Sequence, residues 1–360
     1  MVRTMPNRSN TRTWVAVAVA ALLLAVAAGS AHTFSMRAAE PQASGYHLLK
    51  KFPVGGEGGW DYLVVDSAAR RLYVSRSTRL IVLDADSGQS VGEVPDTPGI
   101  HGIALAHEFG RGFTSNGRAG NVTIFDLKTL KTIGQVKTGE NPDAILYDPI
   151  TKRVFTFNGR SQDATAVDAA EGTVAGTVPL GGKPEAGVSD GKGHIFVNIE
   201  DKSEVVEFDA RALTVLHHWP LAPCETPTGL SLDAAHRRLF AGCGSQVMAV
   251  MDADTGKVVA TLPIGRGVDG TAFDAETSFA FSSNGEGTLT VVREESPDKY
   301  SVVENVPTQR GARTIALDSK THNIYVVTAE FGPAPAATPE NPRPRPTMVP
   351  NSFVVLLYGK

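Results

Sequence analysis

Short apolar runs alternate with small polar turns along this chain, and the pattern recurs from about residue 60 to the C-terminus. In the clearest copy, Trp60–Ser75, an apolar run ends at an Asp, and a turn then leads into β-branched and aromatic residues. The equivalent positions are Asp66, Ala106, Asp148, Asp190, Asp233, Asp274 and Asp318. They are separated by steps of 40, 42, 42, 43, 41 and 44 residues, and such a period is typical of a repeat architecture.

Each copy has the period-2 alternation of four strands, named a to d from the centre outward. In the first copy they are predicted at 61–66, 71–76, 79–85 and 89–95. The last copy ends after its third strand, 352–359, and an extra strand, 46–55, precedes the first copy. We therefore predict an all-β fold, a seven-bladed β-propeller with four antiparallel strands per blade, in which the N-terminal strand closes the last blade. The Asp residues that end strands a and c are predicted to serve turns.

Three further segments flank or interrupt the repeats. Residues 1–31 combine three Arg, an apolar run and small residues at the end, which predicts a signal peptide and an exported protein. Residues 32–45 are predicted to be a flexible linker, and residues 46–360 the propeller. In the last blade, residues 330–351 form a Pro-rich insertion. Its Pro content predicts an extended loop without ladder pairing, which overhangs the face where strands a begin.

Charge and cysteine content narrow the function classes. Removal of residues 1–31 leaves 31 Lys and Arg against 38 Asp and Glu, a net charge of −7. This acidic balance argues against a nucleic-acid partner. The two cysteines, Cys224 and Cys243, flank paired strands of one blade, so we predict a disulfide between them in a periplasmic or secreted protein. With the signal peptide removed, we expect no membrane span.

The residues best suited to binding or catalysis occupy a position at which the seven copies differ. The position five residues before each repeat anchor is predicted to face the central channel at its mouth. These positions hold Asp61, His101, Asp143, Glu185, Thr228, Asp269 and Arg313. Clustered carboxylates are costly unless they are solvated, paired or bound to a cation. We therefore predict a ligand or cation site at this ring, while solvation, with Arg313 pairing to its neighbours Asp269 and Asp61, stands as the structural alternative.

The predicted metal ligands of the ring are its four carboxylates, Asp61, Asp143, Glu185 and Asp269. Oxygen ligands suit hard divalent cations, whereas His101 favours a transition metal, and the identity of any cofactor stays open. Asn198, which no Gly follows, and Trp60, beside Asp61, are added as candidate ligand contacts. For Trp60, a core position at a blade junction is the alternative.

The repeats Pro142–Asn158, PDAILYDPITKRVFTFN, and Pro227–Gly242, PTGLSLDAAHRRLFAG, resemble those of the YVTN-repeat (YncE-like) β-propeller family of exported bacterial proteins. The segments GWDY at 59–62, GVDG at 267–270 and RGART at 310–314 look like those of an uncharacterised branch. The resemblance covers residues 46–360 and implies fold and export. Propellers of similar fold include lactonases, lyases and haem-binding proteins, so the resemblance implies no single activity.

The sequence thus predicts an exported binding protein with a small molecule or cation at an acidic channel mouth. Two alternatives remain open. One is a metal-dependent hydrolase, such as a lactonase, or a lyase that uses the same residues, with a carboxylate as general base and His101 as proton carrier. The other is an envelope scaffold that binds a protein partner through its outer rim.

Overall fold

The computed structural model describes residues 43–336, 338, 344 and 346–360. The predicted signal peptide and residues 32–42 of the predicted linker lie outside the described residues, as do residues 337, 339–343 and 345 of the Pro-rich insertion. Among the described residues, no helix is both long enough and apolar enough to cross a membrane.

The described residues form β-strands and one 3₁₀ helix, His107–Phe109. In chain order the strands are β1 (His47–Pro53), β2 (Leu63–Asp66), β3 (Arg71–Arg76), β4 (Arg79–Asp84), β5 (Ser90–Val94), β6 (Ile100–Ala106), β7 (Arg111–Asn116), β8 (Asn121–Asp126), β9 (Thr132–Lys137), β10 (Pro142–Asp148), β11 (Arg153–Asn158), β12 (Asp163–Asp168), β13 (Thr173–Pro179), β14 (Pro184–Ser189), β15 (His194–Ile199), β16 (Glu204–Asp209), β17 (Thr214–Pro220), β18 (Pro227–Asp233), β19 (Arg238–Cys243), β20 (Val247–Asp252), β21 (Val258–Pro263), β22 (Val268–Asp274), β23 (Phe279–Asn284), β24 (Thr288–Ser296), β25 (Lys299–Pro307), β26 (Ile315–Asp318), β27 (Asn323–Thr328) and β28 (Val354–Gly359).

In the described part of the chain these strands form seven four-stranded antiparallel sheets, which confirms the predicted propeller. Blades 1 to 6 consist of β2–β5, β6–β9, β10–β13, β14–β17, β18–β21 and β22–β25. Blade 7 has the order β26, β27, β28, β1, so the N-terminal strand is its outermost strand. β1 runs antiparallel to β28, from His47 opposite Gly359 to Pro53 opposite Val354. The predicted closure of the ring is confirmed.

The blades are held together by apolar side chains that alternate along the strands. Between blades 1 and 2, for example, Tyr73 and Val82 pack with Ile103 and Phe125, all of them buried. Each of the seven buried clusters in the described residues joins two neighbouring blades in this way. Strands b and c are buried on both sheet faces, so their inner positions hold apolar side chains together with small polar ones such as Thr156 and Thr165.

The turn role predicted for the repeated Asp residues is confirmed. Asp66 Oδ1 accepts a hydrogen bond from the backbone nitrogen of Ala69 at 2.9 Å in the a–b turn. Asp84 Oδ1 accepts one from the backbone nitrogen of Ser87 at 2.8 Å in the c–d turn. These side chains satisfy backbone donors that the sheets leave unpaired at the turns.

Blade 5 contains the predicted disulfide between Cys224, before β18, and Cys243, at the end of β19. The bond is compatible with an oxidising, extracellular location. In blade 7 the Pro-rich insertion connects β27 to β28, and its two described ends pair with each other through a bridge between Phe331 and Met348. The two residues that pair there are not prolines, and their bridge is an isolated one rather than part of a ladder.

Candidate functional site

The seven ring residues lie at the start of strand a in every blade. In blades 2 to 6 the strand register shifts at this point, for example between Pro142 and Ile145, on either side of Asp143. Such a bulge re-aims a side chain and ends regular pairing. In blades 1 and 7 strand a begins at Leu63 and Ile315, so Asp61 and Arg313 precede it. The predicted start of the first strand at residue 61 is therefore two residues early. We call the end of the channel formed by these positions the mouth.

Three ring residues from consecutive blades converge at the mouth. His101 Nδ1 lies 2.6 Å from Asp61 Oδ2 and 3.6 Å from Asp143 Oδ1. Among the described residues, one ligand atom from each of the three lies within 4.8 Å of the other two, a spacing that suits a metal ion. The side chains of Asp61 and Asp143 are each 17% exposed, so the cluster is shielded but reachable from solvent.

The other two carboxylates of the ring have cationic partners. Arg313 Nη1 lies 3.0 Å from Asp269 Oδ2, and its Nη2 lies 3.9 Å from Asp61 Oδ1. Lys183 Nζ lies 2.7 Å from Glu185 Oε1 and also bonds to Glu200. Lys183 was not predicted from the sequence, although it lies two residues before Glu185 and residues i and i+2 of a strand point to the same face.

Burial raises the pKa values of three mouth carboxyl groups toward or above neutral pH. Burial and the charge of Asp61 raise the pKa of Asp143 to about 6, against the opposing effect of His101. Burial raises the pKa of Asp269 to about 7, and burial with the charge of Asp143 raises that of Glu185 to about 8. Burial lowers the pKa of His101, but its bond to Asp61 and the nearby carboxylates outweigh this, so its pKa is raised.

Two of the predicted contacts have structural partners. Thr228 Oγ1 donates to the backbone oxygen of Val268 at 3.0 Å, which joins blade 5 to blade 6. Asn198 is fully buried at the end of β15, and its Nδ2 donates to the backbone oxygen of Gly229 at 2.9 Å. Both side chains therefore link neighbouring blades.

Trp60 packs against a core cluster on one side and borders the mouth on the other. Its ring packs against Phe353 and Phe331, with centroids at 5.2 and 6.0 Å. It also lines two mouth cavities of about 400 Å³ each. One cavity adjoins Arg310, Arg313, Phe331 and Pro346, and the other adjoins Asp61, His101, Arg118, Asn141 and Arg313. Phe331 and Pro346 belong to the Pro-rich insertion, so part of this loop borders the mouth.

Tyr62 was not among the site residues predicted from the sequence. It lines the channel cavity of about 290 Å³ together with Asp269, and packs against the clusters between blades 1 and 2 and between blades 3 and 4. Burial raises the pKa of its hydroxyl well above the usual value, and the mouth carboxylates add to this effect. The sequence does distinguish Tyr62 when the seven copies of the repeat are compared. The other copies have small residues at this position, namely Gly102, Ala144, Ala186, Gly229, Gly270 and Thr314.

The comparisons with known proteins concern the fold. No family model and no curated protein matches the chain. A solved structure of hydrazine synthase from Kuenenia stuttgartiensis is similar over 79% of this chain and 95% of that chain, with 14% identity and a TM-score of 0.66. A structure of U3-55K covers 88% of this chain and 99% of its own, with 12% identity and a TM-score of 0.69. At such identities the likeness shows the β-propeller fold alone.

Proposed function

We propose that this protein is a binding module that holds a divalent cation between Asp61, His101 and Asp143, and a small ligand beside it. The convergence of two carboxylates on one imidazole carries the proposal. Two carboxylate oxygens and one imidazole nitrogen are the ligands expected for a transition metal such as Zn²⁺ or Mn²⁺.

The charge balance of the mouth supports the choice of these three residues. Asp269 is paired with Arg313 and Glu185 with Lys183, each at 3.0 Å or less. Asp61 and Asp143 share the His101 imidazole, and Asp61 also lies 3.9 Å from Arg313. A divalent cation adds the positive charge that this part of the ring lacks, and so reduces repulsion between its carboxylates.

The mouth cavity next to the one that Asp61 and His101 line supports a place for the ligand, because the two cavities share Trp60 and Arg313. Trp60 and Phe331 supply apolar surface, whereas Arg310 and Arg313 supply cationic groups. An anionic or polyhydroxylated small molecule fits this combination, since guanidinium groups bind carboxylates and phosphates well. The Pro-rich insertion then acts as a partial cover.

A metal-dependent hydrolase or lyase is the second candidate, and the pKa values of the mouth favour it. Carboxyl groups such as Asp269, with a pKa of about 7, exchange protons readily at neutral pH.

We further propose that the protein is exported and belongs with the YVTN-repeat propellers. The disulfide supports an oxidising compartment.

Elemental analysis and anomalous scattering on the purified protein test the binding proposal, together with the variant Asp61→Asn/Asp143→Asn. We expect one bound metal at the mouth of the wild type and none there in the variant, because the variant loses both anionic ligands. Asp96→Asn, at an exposed surface position, is the matched control and should keep the metal. A mouth that takes up no metal, or a double variant that binds as the wild type does, contradicts the proposal.

A further inference from the structure

A second cluster of metal-ligating side chains lies on the opposite face of the propeller, where the a–b turns are. Asp233 and His236 belong to the a–b turn of blade 5, and Glu294 belongs to β24 of blade 6. His236 Nδ1 lies 2.6 Å from Asp233 Oδ2 and 3.4 Å from Glu294 Oε1. Among the described residues, one ligand atom from each lies within 4.8 Å of the others.

Glu294 is the unusual member of this cluster. Its side chain is only 3% exposed, and within the described part of the chain neither of its carboxylate oxygens forms a hydrogen bond, although His236 Nδ1 lies 3.4 Å from Oε1. Arg238, a neighbouring cation, is bonded instead to Asp252 and Asp298. A buried carboxylate without a donor is costly, so it needs a proton or a cation.

The repeat shows that blade 6 departs from the other blades here. The backbone nitrogen of Glu294 donates to the oxygen of Ser278, the bond that an Ala makes at the equivalent position of four other blades. Those residues are Ala85, Ala169, Ala210 and Ala253, all of them buried. Glu294 thus places a carboxylate where the fold itself requires only a small apolar side chain.

The blades also differ in whether their a–b turn supplies a positive charge to the preceding blade. At three other junctions, the a–b turn of the following blade gives the anchor Asp of the preceding blade a cationic or imidazole partner. The pairs are Arg70 with Asp318, Arg237 with Asp190, and His322 with Asp274. At Asp233 the equivalent turn residue is Ser278, and the following blade contributes the Glu294 carboxylate instead.

We propose that Asp233, His236 and Glu294 form a second metal site, which binds a divalent transition metal ion and joins blades 5 and 6. Bond lengths of about 2.0–2.2 Å place the ligands of a tetrahedral ion about 3.3–3.6 Å apart. The 3.4 Å between His236 Nδ1 and Glu294 Oε1 matches this spacing, whereas the 2.6 Å between His236 Nδ1 and Asp233 Oδ2 has to lengthen when an ion binds. His236 is half exposed, and this leaves room for a water molecule as a further ligand. The role is structural, because two of the ligands are buried between the blades.

The test uses Zn²⁺ as the probe, on full-length protein freed of metal with a chelator. A background variant, Asp61→Asn/His101→Ala, removes the mouth triad and so separates the two sites. In this background we expect one equivalent of Zn²⁺ by calorimetry and a rise in the thermal midpoint on its addition. Glu294→Ala should abolish both effects and still fold, since Ala is the residue of four other blades.

Ser278→Arg provides a second, independent variant. Ser278 has a φ of 55°, close to the 54° of Arg70 and the 57° of Arg237, so the backbone is already suited to Arg. Its guanidinium should pair with Asp233 and Glu294, abolish Zn²⁺ binding and make the thermal midpoint independent of Zn²⁺.

Unchanged Zn²⁺ binding in the Glu294→Ala protein overturns the proposal. The proposal is also overturned if the background protein does not bind Zn²⁺ up to millimolar concentrations. In that case Glu294 is satisfied by a proton that it shares with Asp233. These outcomes do not depend on whether the mouth binds a cation.

Discussion

Asp side chains serve two different purposes in this molecule, and their surroundings decide which. Asp84 in a c–d turn accepts hydrogen bonds from the hydroxyl and backbone nitrogen of Ser87, which hold its pKa below the usual range. Asp269 at the mouth is buried near Asp61 and Asp143, and its pKa is raised. The first environment stabilises the ionised carboxylate, whereas the second favours the binding of a proton or a cation.

Asp269→Asn should alter how stability depends on pH. The pKa of Asp269 rises from an ordinary value of 3.8 to about 7 on folding, so the folded state binds this proton more tightly. Its contribution therefore lowers the free energy of unfolding as pH rises from about 4 to about 7, by on the order of 4 kcal/mol. Urea unfolding across this range should show a smaller fall for the variant. The same fall in wild type and variant contradicts the assignment.

At the scale of elements, the blades share one pattern of strand pairing and differ in their covalent cross-links and in the lengths of their strands. Blade 5 alone among the described blades has a disulfide, which links the residues before β18 and at the end of β19. In blade 6, β24 and β25 each have nine residues, and Arg238 of blade 5 bonds to their connecting turn at Asp298. The junction of blades 5 and 6 therefore carries contacts beyond those of the repeat.

Cys224→Ser/Cys243→Ser should destabilise the protein by about 3 kcal/mol, because the disulfide closes a loop of roughly 20 residues and restricts the unfolded chain. Guanidinium chloride unfolding measures the change. Hydrogen exchange should locate most of the lost protection in blade 5. An unchanged midpoint without any local loss of protection would show that the bond adds no stability.

At the scale of the whole molecule, stability depends on the closure of the ring by β1. One side of β1 contributes Phe52 to the cluster between blades 7 and 1, and the preceding Tyr46 contributes to the cluster between blades 6 and 7. Without this strand, β28 presents an open edge, and both clusters lose a large side chain.

Phe52→Ala should therefore destabilise the protein by about 3–5 kcal/mol, the usual cost of removing a buried aromatic side chain. Leu48→Ala in the same strand is the matched control, because Leu48 is 38% exposed, and its cost should stay below about 1 kcal/mol. Deletion of residues 46–54 should lower the thermal midpoint further than either substitution. Equal effects of the two substitutions would argue against closure by β1.

The repeat made most of the fold predictable, whereas the candidate sites were predictable only in part. Counting back five residues from each anchor identified Asp61, His101 and Asp143, because equivalent positions of a ring meet at its centre. Lys183 and Tyr62 were missed, since their importance depends on how far their side chains reach across the mouth and the channel. Glu294 was missed because its neighbour Asp233 lies in another blade, 61 residues away in sequence.

The sequence by itself determined the number of blades, the closure by the N-terminal strand, the turn roles of Asp66 and Asp84, and the disulfide. These features follow from periodicity, local turn chemistry and the pairing of two cysteines. Only the tertiary structure decided which mouth carboxylates have partners, and that Asp233, unlike Asp190, Asp274 and Asp318, has no cationic or imidazole partner from the following blade among the residues that the structure describes. Such pairings depend on distances of a few ångströms between blades, since a hydrogen bond between charged groups forms only near 3 Å and the Coulomb attraction itself is about halved at twice that separation.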